Sequence, residues 1–421
     1  MSKTFHIATL GCKLNYSESS QIARELQENG FEISAHPDYY ILNTCTVTGT
    51  AEKKARSLIA QFYRKNPTAE IIVIGCFSAR DKAIVESLQG VTKVFGSEDK
   101  MNVISYLLEI NIPQTPLTTN HLSLTTNFFS TFSSHDRTRS FLKIQDGCDY
   151  HCTYCAVAPA RGKSRSDTIE NVLQNLKKIA QLNYKEVVLT GVNTGDFGRA
   201  NNETFFQLLY EINKQKPVER VRISSIEPNL LSNEIISLFA NSEILMPHFH
   251  IPLQSGSDQV LNAMKRRYNA ALFEEKVEQI KSAMPHACIA VDVISGFPTE
   301  TEADFEESVY FLNRLPVSYL HVFSYSKRPN TPAAEIKHQV KESTIKERTK
   351  ALLQLSETKK TTFYQAHWHT KRAVLFEDDV KNGNMFGFTD NYIRVSTPFN
   401  KNLINKIINI ELTSSNTCPN S

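Results

Sequence analysis

The chain has 421 residues, of which 41% are hydrophobic and 22% charged, with a formal net charge of +3. That length exceeds one ordinary core and predicts two or three domains. The composition excludes a disordered chain, and the small net charge excludes a strongly basic field over the whole molecule, so any nucleic-acid contact has to come from local patches.

Residues 1–110 alternate between two periods. Residues 5–10, 39–43, 70–74 and 92–95 read as short apolar strands, and 17–29, 51–64 and 79–88 carry helical spacing. This alternation predicts a doubly wound parallel sheet covered on both faces. Residues 111–138 are rich in Thr, Ser, Asn and Pro and read as a linker. Alternation resumes over 139–366, with strands expected at 141–145, 186–190, 220–224, 248–252, 290–294 and 319–324. Six such units predict a partial (β/α)6 barrel with its functional loops at the carboxyl ends of the strands. A long helix is expected near 341–366. From 367 to 421, short strands near 372–377, 385–389, 393–395 and 407–412 with Gly and Asn turns predict a small β-barrel.

No apolar run approaches the ~20 residues that span a bilayer. The N-terminal MSKTFHIATLGCKLN has no charged-then-apolar signal segment, so a cytoplasmic location is the default expectation. In a reducing cytosol the eight cysteines are expected to be ligands, nucleophiles or buried small hydrophobes rather than disulfides.

The stretch from Cys148 through Cys152 to Cys155 is CxxxCxxC, directly after the first strand of the barrel region. Three thiolates on one loop hold three irons of a cubane cluster and leave the fourth open for a chelating cofactor. The alternative is zinc, with His151 as a fourth ligand, although zinc sites usually pair one CxxC with a second pair or with histidines. Three more cysteines each follow a predicted strand: Cys12 after FHIATLG, Cys45 after YYILNT and Cys76 after IIVIG. Neighbouring strands lie ~4.8 Å apart, so these loops can converge on one site. Polar neighbours Asn15, Asn43 and Thr44 favour a second three-thiolate cluster; three unrelated buried cysteines are the plain alternative. Cys288 is expected in the core, and Cys418, in a polar tail, in no site.

CxxxCxxC after the first strand of a partial barrel, with Tyr154 before the third cysteine and AVAPARG after it, resembles the radical S-adenosylmethionine (SAM) superfamily. With TLGCKLNYSES, ILNTCTVTGTAEKKAR and VIGCF upstream, and LTGVNTG, RISSIEP, HIPLQSGSDQVLNAMKRRY and VDVISGFPTET downstream, nearly the whole chain is similar to the methylthiotransferases of that superfamily. The resemblance implies an auxiliary-cluster domain, a radical SAM domain and a C-terminal TRAM barrel. It implies two [4Fe-4S] clusters, on Cys12, Cys45 and Cys76 and on Cys148, Cys152 and Cys155, together with SAM. Lys13-Leu14-Asn15 and Thr46-Val47-Thr48 look most like the threonylcarbamoyladenosine branch. That branch adds a methylthio group to carbon 2 of N6-threonylcarbamoyladenosine at tRNA position 37. The resemblance further implies that one SAM methylates a cluster-held sulfur and a second is cleaved to the 5′-deoxyadenosyl radical. The other branches act on isopentenyladenosine in tRNA or on a ribosomal-protein aspartate. An iron–sulfur RNA-binding or redox-sensing protein without catalysis is the reading from another class.

Expected SAM contacts are Asn193, Glu227, Gln254, Ser255 and Asp292 at strand ends, where loop capping is the alternative for each. The expected partners are a tRNA anticodon stem-loop and an external electron donor, with no membrane; the oligomeric state is not legible. Arg161, Arg165, Lys265, Arg266 and Arg267 are candidates for phosphate contacts or for a solvated basic face. Residues 327–372 hold eleven basic residues against four acidic ones, a patch whose RNA binding would be salt-sensitive. Phe386, Phe388 and Tyr392 either stack on bases or fill the β-barrel.

Overall fold

The structure, a computed structural model, describes residues 2–111, 128–134 and 137–419. Much of the expected linker, 112–127 and 135–136, lies outside the described residues. Contacts divide the chain into two units. The first is Met1–Asp136, Phe141–His151 and Cys155–Asp167; the second is Arg137–Ser140, Cys152–Tyr154 and Thr168–Ser421.

The first unit opens with β1 (Thr4–Thr9), α1 (Lys13–Glu28), β2 (Glu32–Ile33), β3 (Tyr39–Thr44), α2 (Gly49–Lys65) and β4 (Glu70–Gly75). It continues through α3 (Cys76–Arg80), α4 (Lys82–Glu86), β5 (Val91–Val94) and α5 (Asn102–Asn111). The strands form one sheet in the order β2-β1-β3-β4-β5, and every pair is parallel. Period two decides the two faces. Tyr39 and Ile41 pack with Phe5, Ile22, Leu26, Val103 and Leu107 on one side. Tyr40 and Leu42 pack with Ile59, Phe62, Phe77 and Val85 on the other. A strand apolar on both faces belongs in a parallel sheet covered on both sides. The helix expected over 79–88 is instead two short helices, because Asp81 sits at φ −125° and ψ 48°, outside the helical region. Its carboxylate pairs with Arg80, which also pairs with Glu52 at 2.8 Å.

Two pairs of short strands and one helix complete this unit. β6 (Thr131–Phe132) runs antiparallel to β7 (Ser140–Lys143), and β8 (Gln145–Asp146) to β9 (Arg165–Ser166). Between β8 and β9, α6 (Val157–Arg161) packs on α3.

The second unit holds the rest of the expected barrel series: α7 (Ile169–Gln181), β10 (Glu186–Thr190), α8 (Phe205–Gln215), β11 (Arg220–Ile223), α9 (Asn233–Ala240) and β12 (His248–Gln254). Then come α10 (Asp258–Ala263), α11 (Ala270–Ala283), β13 (Cys288–Ser295), α12 (Glu302–Arg314), β14 (Tyr319–Ser324), α13 (Pro332–Glu335) and α14 (Glu342–Gln365). β10 pairs parallel with β11, and β12, β13 and β14 pair parallel with one another. Single parallel bridges, Val221 to Leu245 and Ser225 to His250, carry the curl from β11 to β12.

The tail is β15 (Lys371–Lys381), β16 (Asn384–Thr389), β17 (Arg394–Pro398) and β18 (Ile407–Glu411), an antiparallel sheet in the order β17-β16-β15-β18. A register shift between Phe376 and Val380 bends β15. The sheet curls into a half-barrel over Phe376, Met385, Val395 and Leu412, which pack with Phe363 and Tyr364 of α14 and with Cys288 of β13. Cys288 is thus core, as expected. No helix among the described residues is long and apolar enough to cross a membrane.

Gly75, at φ +103°, turns β4 into α3, and a Cβ there would lie 2.6 Å from Asn43 Oδ1 and from the Thr44 carbonyl oxygen. Gly30, at φ +85°, has nothing within 4 Å of such a Cβ. Gly75→Ala should therefore lose more stability than Gly30→Ala. The second carries only the strain of a positive φ, about 1 kcal/mol, and the first adds a collision with backbone. Urea titration of the two variants checks the order; equal losses would show that the close approach at Gly75 is not constraining.

Candidate metal centres

The strand order of the first sheet reverses between β1 and β3. In open parallel sheets, ligands collect beyond the carboxyl ends of the strands at such a switch point. Cys12 is the N-cap of α1 just past β1, Cys45 follows β3, and Cys76 opens α3 just past β4. A Cβ on Gly11 (φ +98°) would fall 2.6 Å from Cys45 Cβ and 2.8 Å from its Sγ, so the backbone before Cys12 runs directly against Cys45. Burial pushes the Cys12 thiol up; Arg161 opposes this and the Cys76 thiol adds to it. Burial pushes Cys45 to about 11, the Val47 N–H opposes, and Cys12 and Cys76 add. Each thiol thus feels the others. Cys12 shows surface as a residue, yet its sulfur is desolvated, and the sulfur decides the chemistry.

A buried ion network stands behind these thiols. Glu18 takes Lys100 at 2.7 Å and Lys143 and Arg161 at 3.3 Å each. Asp146 takes Arg161 at 2.8 Å, Arg165 at 3.0 Å and Lys143 at 3.9 Å. Four basic side chains therefore face two carboxylates, and burial pushes the Lys143 ammonium down. Arg161 is 1% exposed. Its Nη2 donates to Asn15 Oδ1 at 2.5 Å, while Asn15 Nδ2 donates to the Leu10 and Thr44 carbonyls at 2.7 and 3.0 Å. Asn15 thereby ties the loops of Cys12 and Cys45 to Arg161. Unpaired buried charge is costly, so this excess calls for an anion, and three thiolates on an iron–sulfur cubane supply one. The donor set and its electrostatics fit such a group on Cys12, Cys45 and Cys76.

The second cysteine set begins at Gly147, φ +69°, where a Cβ would sit 2.0 Å from the Lys163 carbonyl oxygen. Cys148 N donates to the Gly162 carbonyl at 3.1 Å. Its Sγ accepts from Tyr150 N at 3.4 Å, as Cys155 Sγ does from Val157 N at 3.4 Å and Cys45 Sγ from Val47 N at 3.5 Å. An N–H two residues on, aimed at sulfur, stabilises the thiolate form, the form that binds metal. His151 is exposed.

Cys152 belongs to the second unit. Thr153 N donates to Met264 O at 3.1 Å and Ala333 N to Thr153 O at 3.0 Å. Cys152 Sγ accepts from Arg266 Nη1 at 3.1 Å, and the same guanidinium reaches Tyr154 and Tyr268 and pairs with Glu227. Tyr268 Oη donates in turn to the Pro252 carbonyl at 2.5 Å. Burial pushes the Glu227 carboxyl up against the pull of Arg266, and Asp292 pushes it further up. Glu227, Asp292, Arg266 and Cys152 therefore form one neighbourhood. Gln254 ends β12 at φ +70°, beside a register shift. Ser255 Oγ is bonded to Ser308 Oγ at 3.1 Å and accepts from Ser257 N, a loop-shaping role. Asn193 is buried just past β10. The hydroxyls of Ser224 and Tyr325, past the ends of β11 and β14, are buried with no hydrogen-bond partner among the described residues. Such orphaned groups at strand ends fit a polar ligand of the size and chemistry of SAM.

Several basic residues do other work than the sequence suggests. Arg161 and Arg266 are held by buried carboxylates and sulfur, not turned to solvent. In the 327–372 patch, Arg348 pairs with Glu300 at 2.6 Å, Arg328 is buried, and burial pushes the Lys359 ammonium down to about 8. Lys265 and Arg267 remain exposed. Phe388 and Tyr392 stack on each other, 4.7 Å between centroids, beneath Arg139, and Phe386 is buried. The buried network of Glu18, Lys100, Lys143 and Asp146 escaped sequence reading; the one signal for it was Arg161 in the AVAPARG that follows the third cysteine.

The "Radical SAM superfamily" family model matches residues 142–312, and the "Uncharacterized protein family UPF0004" model matches residues 4–96. Threonylcarbamoyladenosine tRNA methylthiotransferase MtaB of Bacillus subtilis (strain 168) is 36% identical, covering 97% of this chain and 93% of its own length. The MtaB protein of Aquifex aeolicus (strain VF5) is 34% identical over 92% and 95%. This chain belongs to the MtaB methylthiotransferase family. It is a radical SAM methylthiotransferase and uses SAM and an iron–sulfur cluster. The tRNA-2-methylthio-N(6)-dimethylallyladenosine synthase of Aquifex aeolicus (strain VF5) is 31% identical over 99% and 97%. Among solved structures, the radical SAM methyltransferase TsrM from Kitasatospora setae shares the fold, with TM-score 0.60 at 13% identity over 79% of this chain and 75% of that one.

Two predictions come from the ion network. Burial alone would raise the Glu18 carboxyl, but Lys100, Arg161 and Lys143 hold it at about 2 against 4.5 when exposed. A depressed folded-state value gives stability that is present above pH 4.5 and lost as pH falls through about 2. Acid unfolding followed by circular dichroism should therefore shift to higher pH in Lys100→Met, which removes the first of these cations. Arg161→Met leaves two buried carboxylates short of a partner and should cost roughly 3 kcal/mol in urea titration; a cost below about 1 kcal/mol would mean that the remaining lysines compensate.

Proposed function

We propose that the chain adds a methylthio group to carbon 2 of N6-threonylcarbamoyladenosine in a tRNA anticodon stem-loop. The observation that carries this reading is the pairing of two three-cysteine sets, one at the switch point of the first sheet and one on the CxxxCxxC segment, in a chain of full-length similarity to MtaB proteins. We assign one [4Fe-4S] cluster to Cys12, Cys45 and Cys76, and a second to Cys148, Cys152 and Cys155. SAM is assigned to the strand ends carrying Asn193, Glu227, Gln254, Ser255 and Asp292. The functional division we adopt is an auxiliary domain at 1–110, a radical SAM domain at 139–366 and a TRAM-like domain at 367–421, acting in the cytoplasm with an external electron donor.

Bound there, the clusters and SAM supply a hydrogen-abstracting radical and the methylthio sulfur, chemistry no side chain provides. The chain's own residues hold and bias these groups. Arg161 and Asn15 keep positive potential and two loop carbonyls fixed beside Cys12 and Cys45. Arg266 donates to Cys152 sulfur while Glu227 holds the guanidinium in place; a donor on a cluster sulfur raises its reduction potential and eases electron entry. Lys265 and Arg267 supply exposed charge for RNA phosphates.

The two sets should separate by mutation. In anaerobically reconstituted protein with dithionite and SAM, Cys152→Ala should abolish 5′-deoxyadenosine release. Cys76→Ala should retain release but form no methylthio nucleoside, read by mass spectrometry of digested tRNA. Release that fails equally in Cys76→Ala with its CxxxCxxC cluster intact by EPR would sink the division of labour.

A further inference from the structure

Beside Asp292, one of the proposed SAM contacts, the inner face of β12–β14 carries His250, His321 and Phe323, which neither cluster binding nor SAM accounts for. The outer face is set by α14: Ser295 and Ser324 hydroxyls meet Thr349 Oγ1 at 2.6 and 2.9 Å. Side chains alternate along a strand, so Asp292 and Ile294 of β13, and His321 and Phe323 of β14, point the other way. Register places them side by side, Asp292 with His321 and Ile294 with Phe323, and His250 of β12 pairs with Ala290 on the same face. There, His250 Nε2 lies 2.6 Å from Asp292 Oδ1, and the His250 and His321 rings are 4.9 Å apart. His321 is exposed, and Phe323 is 41% exposed. A large aromatic left bare on the inner face of a barrel marks a place for a ligand rather than for core. Asp292 also acts on Glu227, which pairs with Arg266 beside Cys152. The patch thus borders the neighbourhood of a proposed cluster ligand, on the lumen side of the strand ends.

The donors within 4.8 Å of one another could hold a metal. Yet 2.6 Å between His250 and Asp292 is a hydrogen-bond distance; ligands sharing a tetrahedral zinc at ~2.0 Å sit ~3.3 Å apart. The contact instead occupies Asp292 Oδ1 as a hydrogen-bond partner of His250 Nε2. His321, exposed beside that pair, presents an imidazole to the lumen.

We propose that this face is the seat of the modified adenine: Phe323 stacks on the purine, and His321, beside the hydrogen-bonded His250–Asp292 pair, donates to the carboxylate of the threonylcarbamoyl group. This rests on the substrate assigned above and adds the residues that read it. A flat base needs an aromatic plate, and the substituent that distinguishes this substrate from an isopentenyl adenine ends in a carboxylate, which needs a donor. A site built to hydrogen-bond a group rejects an analogue lacking it far more strongly than an apolar pocket rejects one of the wrong size.

The test is binding of anticodon stem-loop RNA, with and without the threonylcarbamoyl group, to reconstituted full-length protein without reductant, read by fluorescence anisotropy. Wild type is expected to prefer the modified RNA. Phe323→Ala should weaken binding of both RNAs about tenfold, and Phe323→Leu nearly as much. His321→Ala should erase the preference while binding unmodified RNA as wild type does, and His321→Gln, which keeps a donor, should restore part of it. Both positions are exposed, so neither substitution opens the core. A wild type without preference would overturn the substrate assignment together with this site. A wild type with preference, and a His321→Ala variant that keeps it, would overturn this site alone. Stoichiometric zinc, lost in His321→Ala, would also overturn it.

Discussion

The buried guanidinium of Arg161 is the constraint around which the first unit is arranged. It is 1% exposed and bonded to Asp146, Glu18 and, through Asn15, to the loops that carry Cys12 and Cys45. Such a group is expensive to bury and is retained only where its partners are complete. Here they come from α1 and β8, while Arg161 itself ends α6, so the network fixes these three segments relative to one another. It also sets positive charge next to these thiols, and Arg161 opposes the upward push that burial gives Cys12 and Cys45. The same residue that holds the fold together sets the electrostatics of the site.

Backbone geometry repeats at each centre. Gly11, Gly75 and Gly147 directly precede Cys12, Cys76 and Cys148, with φ of +98°, +103° and +69°. Each turns the chain sharply from strand to loop where a Cβ would strike a neighbour within 3 Å. The cysteine that follows is thereby placed at the carboxyl end of a strand with little freedom. A parallel sheet collects such turns on one edge, which explains how cysteines tens of residues apart act as one set.

Much of this was legible in the sequence because it is local. Period-two apolar runs located Tyr39–Thr44, Glu70–Gly75 and the barrel strands, and Cys12, Cys45 and Cys76 follow strands as the pattern suggests. What sequence could not convey was direction. Arg161 and Arg266 look like surface cations, because a string of letters does not show which side chain meets Glu18 or Glu227 across the fold. Nor could it show that β14 would leave His321 and Phe323 bare on one face while Ser324 meets α14 on the other. The half-barrel was likewise a matter of closure: strand patterns predict the four strands of the tail, but the curl depends on the bend in β15 and on packing against α14.

The surroundings of the Cys12, Cys45 and Cys76 set and those of Cys152 differ in a way that follows from the chemistry proposed for each. The first set is the one proposed to handle sulfur, and near it Lys100, Lys143, Arg161 and Arg165 outnumber Glu18 and Asp146. Hydrogen-atom abstraction moves a proton and an electron together, so little net charge develops and there is little for a fixed field to stabilise. Near Cys152, Arg266 is accordingly matched by Glu227, and His250 is hydrogen-bonded to Asp292. Matched pairs contribute little potential but a great deal of orientation, because each partner fixes the other. A site whose chemistry is decided by the distance between a radical and one C–H bond gains more from rigid placement than from charge, and that is what these residues provide.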